Sequence, residues 1–153
     1  YRGRRTKVNL VKYLGHIVID IDHLSKEELA RILPIIKRCN YTRIAFISPK
    51  GMGVKIIVRA CHPDETLPET LQEIEDFHHA AYTRLVSFYT ELCQIEIDTS
   101  GQDVARTCLF SYDPTRFQIV KISPAVNNRL LRTAPRRMKT QRSTPIPPTL
   151  LWC

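Results

Sequence analysis

An α+β fold is the class that this 153-residue sequence predicts. Hydrophobic residues make up 43% of the chain and charged residues 25%, which is enough apolar material for a packed core. Short runs rich in β-branched residues alternate along the chain with segments of helical periodicity. These features exclude a wholly disordered chain and favour one domain that contains both helices and strands.

The first strand and the first helix follow one another directly. GHIVIDID, at residues 15–22, is typical of a buried strand. Ser25 and Glu28 then have the spacing of a capping box, which predicts that a helix begins there. Pro34 interrupts the apolar stripe of this helix, so we expect a kink or an early end at that residue.

The middle of the chain predicts a hairpin, a long helix and further strands. RIAFIS (43–48) and VKIIVRA (54–60) read as a hairpin around a glycine-containing turn. Apolar residues recur every three or four positions over 69–92, which predicts the longest helix. IEID, at residues 95–98, predicts a short strand. Weaker strand candidates follow at 106–111 and 117–122.

The order β-α-β-β-α-β over residues 15–98 is that of a ferredoxin-like or RRM-like unit. We therefore expect a mainly antiparallel sheet with helices on one face, additional C-terminal strands, and an opposite face that is free for a ligand. The chain divides on this basis into a basic N-terminal arm (1–12), a folded domain (13–124) and a basic, proline-containing tail or linker (125–153).

Positive charge is concentrated at the two ends of the chain. Residues 1–12 carry five Lys and Arg, residues 115–153 carry eight, and neither segment contains an acidic residue. The stretch between them has 10 basic and 15 acidic residues, a net charge of −5. Basic flanks on an acidic centre favour a polyanionic partner, and nucleic acid before a membrane. Solubility alone is the alternative explanation of such flanks.

The sequence also limits where the protein is expected to work. No stretch reaches the ~20 apolar residues that span a bilayer, and the N-terminus lacks the apolar region of a secretory signal. The five cysteines are scattered and odd in number, which argues against a disulfide framework and for reduced thiols. We therefore expect a cytoplasmic protein with no membrane partner.

Three acidic residues on predicted strands form the candidate catalytic and metal site. Asp20 and Asp22 are two positions apart in the first strand, so their side chains project from the same face. Asp98 ends the predicted strand 95–98, which in such a unit pairs beside the first strand. Three carboxylates on adjacent strands would bind Mg²⁺ or Mn²⁺. The alternative is that these acids only open turns or face solvent.

The predicted hairpin turn, SPKGMGVK, is the candidate nucleotide-binding segment. Glycines allow a backbone to approach a phosphate closely, and a lysine supplies charge. The candidate residues are Ser48, Gly51, Gly53 and Lys55. Arg106 is a further candidate phosphate ligand, unless it pairs only with a nearby acid. An ordinary hairpin turn is the alternative explanation of the glycines.

Together these motifs resemble a known family. The phrases GHIVIDIDHLS, AFISPKGMGVK and IDTSGQDVARTCLFSYDP carry the resemblance, which covers roughly residues 13–118. The chain resembles the VirE N-terminal-like domain family, within the archaeo-eukaryotic primase (primase-polymerase) superfamily. That superfamily has an RRM-like core with metal-binding acids.

The resemblance implies a role for each candidate residue. The implied metal-binding and catalytic acids are Asp20, Asp22 and Asp98. The implied nucleotide-binding residues are Gly51, Gly53 and Lys55. Many members have His where this chain has Lys55, although a lysine also contacts phosphate.

The leading functional hypothesis is a metal-dependent nucleotidyltransferase of primase-polymerase type. It would act on single-stranded DNA or a primer-template with nucleoside triphosphates, beside a helicase-like domain, in the replication of a mobile element. The alternative is a non-catalytic nucleic-acid-binding or helicase-partner domain with the same fold. A plain RRM-like RNA binder is disfavoured, because the first strand carries acids rather than exposed aromatics. Convergence of the three acids within ~5 to 6 Å would favour the enzyme.

Overall fold

Two helices pack on one face of an antiparallel sheet in the computed structural model, which describes residue 4, residues 6–118 and residues 151–152. The elements are β1 (His16–Ile21), α1 (Lys26–Arg38), β2 (Ile44–Ile47), β3 (Val54–Cys61), α2 (Leu71–Cys93), β4 (Phe117–Gln118) and β5 (Leu151–Trp152). The order is therefore β-α-β-β-α-β with one further strand, and the predicted α+β class is confirmed. Short 3-10 helices occupy Lys7–Asn9 and Thr99–Gly101.

The sheet has the strand order β1-β3-β2-β4. All four strand pairs are antiparallel, and β5 pairs with the end of β3 at Ala60 and Cys61. Both strands of the predicted hairpin, β2 and β3, are confirmed, and β3 lies between β1 and β2. This register decides which side chains meet at each end of the sheet.

Both helices begin with a capping box. The Ser25 hydroxyl accepts from the Glu28 backbone N–H at 3.1 Å, and the Glu28 carboxylate accepts from the Ser25 N–H at 2.8 Å. The predicted start of α1 is thereby confirmed. Thr70 and Glu73 repeat the motif at α2. Helix α1 continues past Pro34 to its end at Arg38, so the proline does not end the helix early.

Alternation along β1 separates the core from the opposite face of the sheet. Ile17, Ile19 and Ile21 are all at most 1% exposed and pack into the core that the helices cover. The intervening residues point away from the helices. We refer to that side of the sheet as the helix-free face. Asp20 is on it, and so is Lys55, which lies directly opposite in the β1–β3 register.

The last strand of the unit is not the one predicted. Residues 95–98 form no strand, although Ile97 is 5% exposed and packs in the core, which explains the strand-like hydrophobicity. The strand is instead β4, and it pairs with β2 rather than lying beside β1. Residues 106–111 form no strand either. The Phe110 ring of this segment stacks on Phe46 of β2 without the segment joining the hydrogen-bond ladder of the sheet.

Described residues of the N-terminal segment contact the folded domain. Lys7 forms an ion pair with Glu75 at 3.0 Å, and Leu10 packs against the core. Residues 119–150 lie outside the described part, so the end of the predicted strand 117–122 and most of the predicted tail (125–153) do too. β5 was not expected from the sequence.

One cysteine differs from the expectation that all thiols are reduced. Cys39, Cys93 and Cys108 are free thiols, whereas Cys61 is disulfide-bonded. The expectation of reduced thiols throughout is therefore wrong for Cys61. Among the described residues, no helix combines the length and apolar character needed to cross a membrane.

Candidate nucleic-acid interface

A cleft of about 350 Å³ opens where β1 ends beside the turn between β2 and β3. The register places Ile21 opposite Val54, which brings the two connections together. The Leu24 backbone N–H donates to the Met52 carbonyl at 2.9 Å and joins them. Five of the candidate site residues line this cleft, and they are Asp20, Asp22, Ser48, Lys55 and Arg106.

Lys55 and Asp20 form a cross-strand ion pair at the base of the cleft. The Lys55 ammonium donates to Oδ2 of Asp20, and the two side chains are only 12% and 15% exposed. Oδ1 of Asp20 is buried and has no hydrogen-bond partner. The positive charge of Lys55 is thus neutralised by the Asp20 carboxylate. This pairing weakens the idea that Lys55 is a free phosphate ligand.

Gly53 is needed where the turn passes the end of β1. A Cβ at Gly53 would lie 2.5 Å from the Ile21 carbonyl oxygen, which is closer than any side chain tolerates. It would also lie 2.9 Å from Asp22 Oδ1 and 3.1 Å from Ser48 Oγ. Two polar oxygens therefore flank this glycine at the wall of the cleft. Close packing of the backbone is therefore enough to explain why a glycine occupies position 53, and no ligand is needed for that explanation.

The turn itself uses part of its own hydrogen-bonding capacity. The Gly51 N–H donates to the Ser48 carbonyl, and the Ser48 N–H donates to the Gly53 carbonyl, both at 2.8 Å. Gly51 has a φ of +75°, a left-handed conformation that favours glycine. The Gly51 amide is therefore not available for the predicted phosphate nest. Lys50, on the exposed part of this turn, offers its side chain to the cleft.

Asp98 is not part of the cleft. Its carboxylate accepts from the Ser100 N–H at 3.0 Å and from the Ser100 hydroxyl at 2.5 Å, and these bonds hold the pKa of Asp98 below its usual range. Burial raises the pKa of the Tyr82 hydroxyl, and the carboxylates of both Asp98 and Asp20 act in the same direction. The two acids are thus in the same region without sharing a ligand position.

The predicted three-carboxylate metal cage is consequently not assembled. In the part of the chain that the structure describes, no group of three or more His, Cys, Asp or Glu side chains is placed to hold a metal ion. The physical reason is the missing strand at 95–98, since only a ladder beside β1 would have aligned Asp98 with Asp20 and Asp22. Asp20 and Asp22 remain together on the cleft wall.

Arg106 reaches the cleft from the segment that follows Asp98. The Arg106 backbone N–H closes a turn on the Asp103 carbonyl at 2.9 Å, and the Asp103 carboxylate accepts from Ala105 at 2.8 Å. Further along, Oδ2 of Asp113 accepts from the Ile47 N–H at 2.9 Å, which fastens this segment to β2. Arg106 is exposed and faces the same cleft as Lys50.

The family of the chain is shown by comparison with known protein families. Residues 1–117 match the family model described as BT4734-like, N-terminal domain. The chain belongs to the BT4734-like N-terminal domain family. The match includes the whole cleft, both helices and the strands β1 to β3. No curated protein and no solved structure is significantly similar to the chain.

This family assignment corrects the resemblance drawn from the motifs. The matching family is a different one from the VirE N-terminal-like family, and nothing in the match supports membership of the primase-polymerase superfamily. The roles that the resemblance implied for individual residues therefore lose that support. What remains for this BT4734-like domain is the arrangement of its own side chains.

The cleft contains residues that the sequence did not indicate. His23 lies in the β1–α1 connection with a positive φ of 60°, and Thr107 and Leu109 come from the segment after Asp98. His23 belongs to the phrase GHIVIDIDHLS, and Thr107 and Leu109 belong to IDTSGQDVARTCLFSYDP, but no pattern in these phrases indicated a role for the three side chains. Only the tertiary structure brings them to the site. The positive φ of His23 could not be predicted from the sequence, because nothing in the sequence distinguishes this residue from one in an ordinary loop.

A second group of basic side chains lies toward the other end of β1. His16 pairs with Arg59 in the β1–β3 register. Burial lowers the pKa of His16, and the positive charges of Arg59 and Arg43 lower it further. Burial and Arg59 also lower the pKa of Arg43. In this BT4734-like domain, Arg43 and Arg59 are thus close enough to repel one another, and both favour the neutral form of His16.

Proposed function

We propose that this BT4734-like domain binds a nucleic-acid strand through its phosphates and does so as a non-catalytic module. The observation that carries the proposal is the cleft itself. It combines the exposed side chains of Lys50 and Arg106 with the Ser48 and Thr107 hydroxyls in one concave site. Ammonium, guanidinium and hydroxyl groups are the donors that contact phosphate in nucleic-acid complexes.

The charge distribution supports a polymeric anion rather than a small one. Arg43 and Arg59 lie near one another, and an anionic backbone would relieve the repulsion between these two cations. The basic flanks of the sequence add further cations outside the acidic centre. Several separate positive groups suit a strand that carries one phosphate per nucleotide.

Binding without catalysis fits the placement of the acids. Asp20 is neutralised by Lys55, and Asp98 is held by Ser100 outside the cleft. The ion pair of Asp20 with Lys55 reduces the repulsion that a phosphate would meet from this carboxylate in the cleft. The acids do not form the set of ligands that two-metal phosphoryl transfer requires.

A comparison of two arginine substitutions tests the proposal. Arg106→Ala removes a cation from the cleft, while Arg38→Ala removes the same charge from the exposed end of α1. Affinity for a short, labelled single-stranded DNA is measured by fluorescence anisotropy over a range of salt concentrations. We expect Arg106→Ala to weaken binding about tenfold, the scale of a lost charged hydrogen bond.

The salt dependence separates a phosphate contact from a general loss of charge. Arg106→Ala should reduce the slope of log affinity against log salt by about 0.7, the value for one phosphate contact to a single strand. Arg38→Ala should leave both affinity and slope nearly unchanged. Equal effects of the two substitutions, or no binding by the unsubstituted domain, would contradict the proposal.

A second candidate function, metal-dependent nucleotidyl transfer, has one specific observation in its favour. Oδ1 of Asp20 is buried without a hydrogen-bond partner in the cleft that Asp22 also lines. A divalent cation such as Mg²⁺ or Mn²⁺ would satisfy that oxygen, with Asp20 and Asp22 as its protein ligands. Such an ion would supply charge neutralisation on a nucleotide phosphate.

The two candidates differ in what a metal ion should do. If Asp20 and Asp22 bind a cation, Mn²⁺ should raise the melting temperature of the domain, and Asp22→Asn should remove most of that rise. Asp98→Asn should then have little effect, because Asp98 is outside the cleft. Primer extension with nucleoside triphosphates and Mn²⁺ is the matching activity assay. Extension lost in Asp22→Asn would favour the enzyme, and no extension by any variant would favour the binding module.

A further inference from the structure

We propose that Phe110 is a stacking platform for an unpaired base of the bound strand, beside the phosphate cleft. This inference rests on the proposed function and specifies its partner as a single-stranded nucleic acid. Phe110 is 65% exposed, although its ring is stacked on the ring of Phe46 with a centroid distance of 4.9 Å and an interplanar angle of 17°. One face of the Phe110 ring is therefore covered, while much of the ring remains open to solvent.

The position of this ring connects it to the cleft. Phe46 pairs with Lys55 in the β2–β3 register, and Lys55 pairs with Asp20 in the β1–β3 register. Directly opposite residues share a face of the sheet, so these three side chains form a row across the helix-free face. Leu109, the neighbour of Phe110, itself lines the cleft. A strand with a phosphate at the cleft would place an adjacent base near Phe110.

Exposed apolar side chains lie both at the cleft and in the segment that carries Phe110. Met52 is 55% exposed, Leu109 is 66% exposed, and both line the cleft. Tyr112, two residues beyond Phe110, is 91% exposed. Scattered single apolar residues need no explanation, but a group beside a basic cleft is typical of a binding surface. Cations next to exposed aromatic rings are the combination that single-strand binding proteins use.

The platform is held in place before any ligand arrives. The Ser111 hydroxyl donates to the Ile47 carbonyl, and the Asp113 carboxylate accepts from the Ile47 N–H. Phe110 is therefore anchored by the residues that follow it and by the Phe46 ring beneath it. A fixed aromatic ring loses little conformational entropy when a base stacks on it.

An abasic oligonucleotide provides the direct test. Its sugar-phosphate backbone presents the same charges as normal single-stranded DNA but offers no base to stack. We expect the unsubstituted domain to bind the normal strand about tenfold more tightly than the abasic strand. Phe110→Leu should abolish this preference while retaining affinity for the abasic strand. Phe110→Trp, which keeps an aromatic ring, should retain the preference.

The outcomes separate this inference from the proposed function. Arg106→Ala should weaken both oligonucleotides, because it removes a phosphate contact. Equal binding of normal and abasic strands by the unsubstituted domain would overturn the stacking role and leave the phosphate cleft intact. Binding of neither strand would overturn both. An unchanged base preference in Phe110→Leu would also overturn the assignment. A different oligomeric state of Phe110→Leu in sedimentation would overturn it as well, because it would place Phe110 in a protein interface.

Discussion

The ion pair between Lys55 and Asp20 is the residue-scale feature with the clearest energetic consequence. Both side chains are largely buried, so removal of one partner leaves the other charge without compensation. We expect Lys55→Met and Asp20→Asn each to lower the free energy of unfolding by roughly 3 kcal/mol. The double variant should lose clearly less than the sum, because it contains no unpaired charge.

Chemical denaturation of the two single variants and the double variant measures this coupling. Lys50→Met is the control, since Lys50 is exposed on the neighbouring turn and should change stability by no more than about 0.5 kcal/mol. Strict additivity of the single effects would mean that the two side chains do not depend on each other.

His78 gives the domain a specific pH dependence. It is 6% exposed, its Nδ1 is 3.0 Å from the Tyr13 hydroxyl, and burial lowers its pKa to about 4. In the unfolded chain the pKa of a histidine is about 6.5, so the unfolded state binds the proton first as the pH falls. The contribution of His78 is therefore complete above about pH 6.5 and is lost between there and about pH 4.

The size of this loss follows from the shift in pKa and is on the order of 3 kcal/mol. His78→Phe removes the titrating group, so unfolding free energies measured from pH 7 to pH 4.5 should fall less steeply than for the unsubstituted domain. His79→Gln changes the exposed neighbour and should preserve the steep fall. Identical pH profiles for His78→Phe and the unsubstituted domain would remove His78 as the cause.

At the scale of elements, the same substitution should have opposite effects at two positions of α2. Thr70 is the N-cap, and its hydroxyl accepts from the Glu73 N–H at 3.3 Å. Thr83 lies in the middle of the helix and its hydroxyl bonds back to the His79 carbonyl at 3.0 Å. Thr70→Ala should destabilise the domain by about 1 kcal/mol, because an orphan backbone donor loses its partner.

Thr83→Ala should instead be neutral or stabilise the domain by up to about 0.5 kcal/mol, since alanine has the higher helix propensity. Thermal or denaturant unfolding of the two variants provides the comparison. A similar loss at both positions would show that general packing, and not the cap, dominates at Thr70.

Elements with a local signal could be predicted from the sequence. The capping residues Ser25 and Glu28 lie close together in the chain, and the isoleucine alternation of β1 needs no distant partner to be recognised. The hairpin of β2 and β3 is likewise encoded by adjacent runs around a glycine turn. For the same reason Asp20 and Asp22 could be placed on one wall of the cleft.

At the scale of the whole molecule, local sequence patterns are insufficient to predict which segments join the sheet and where Asp98 lies. Ile97 is hydrophobic because it fills the core, and its local pattern does not distinguish that role from membership of a strand. The position of Asp98 depended on that distinction, so the third acid was misplaced. The described part of β4 has two residues, and its pairing with β2 follows from tertiary packing. The Asp20–Lys55 pair could have been found only from the β1–β3 register.

Asp113 links the cleft to the rest of the molecule across a long stretch of sequence. It is 4% exposed, its Oδ2 accepts from the Ile47 N–H at 2.9 Å, and its Oδ1 accepts from the Thr115 N–H and hydroxyl at 2.8 Å. Asp64 forms the same local turn with Thr66 at an exposed site that lacks the bond to a strand. The two aspartates thus differ mainly in whether the turn is attached to the sheet.

Asp113→Ala should release the segment that carries Arg106 and Phe110 from the edge of β2. We expect faster amide hydrogen exchange over 106–113 and at Ile47, with little change in α2, and weaker binding of single-stranded DNA. The Ile47 N–H loses its acceptor, so a stability loss of roughly 1 to 3 kcal/mol should accompany these changes. Asp64→Ala should leave both exchange and affinity at the cleft unchanged. If exchange instead accelerates uniformly in Asp113→Ala, Asp113 supports the fold as a whole and not the geometry of the cleft.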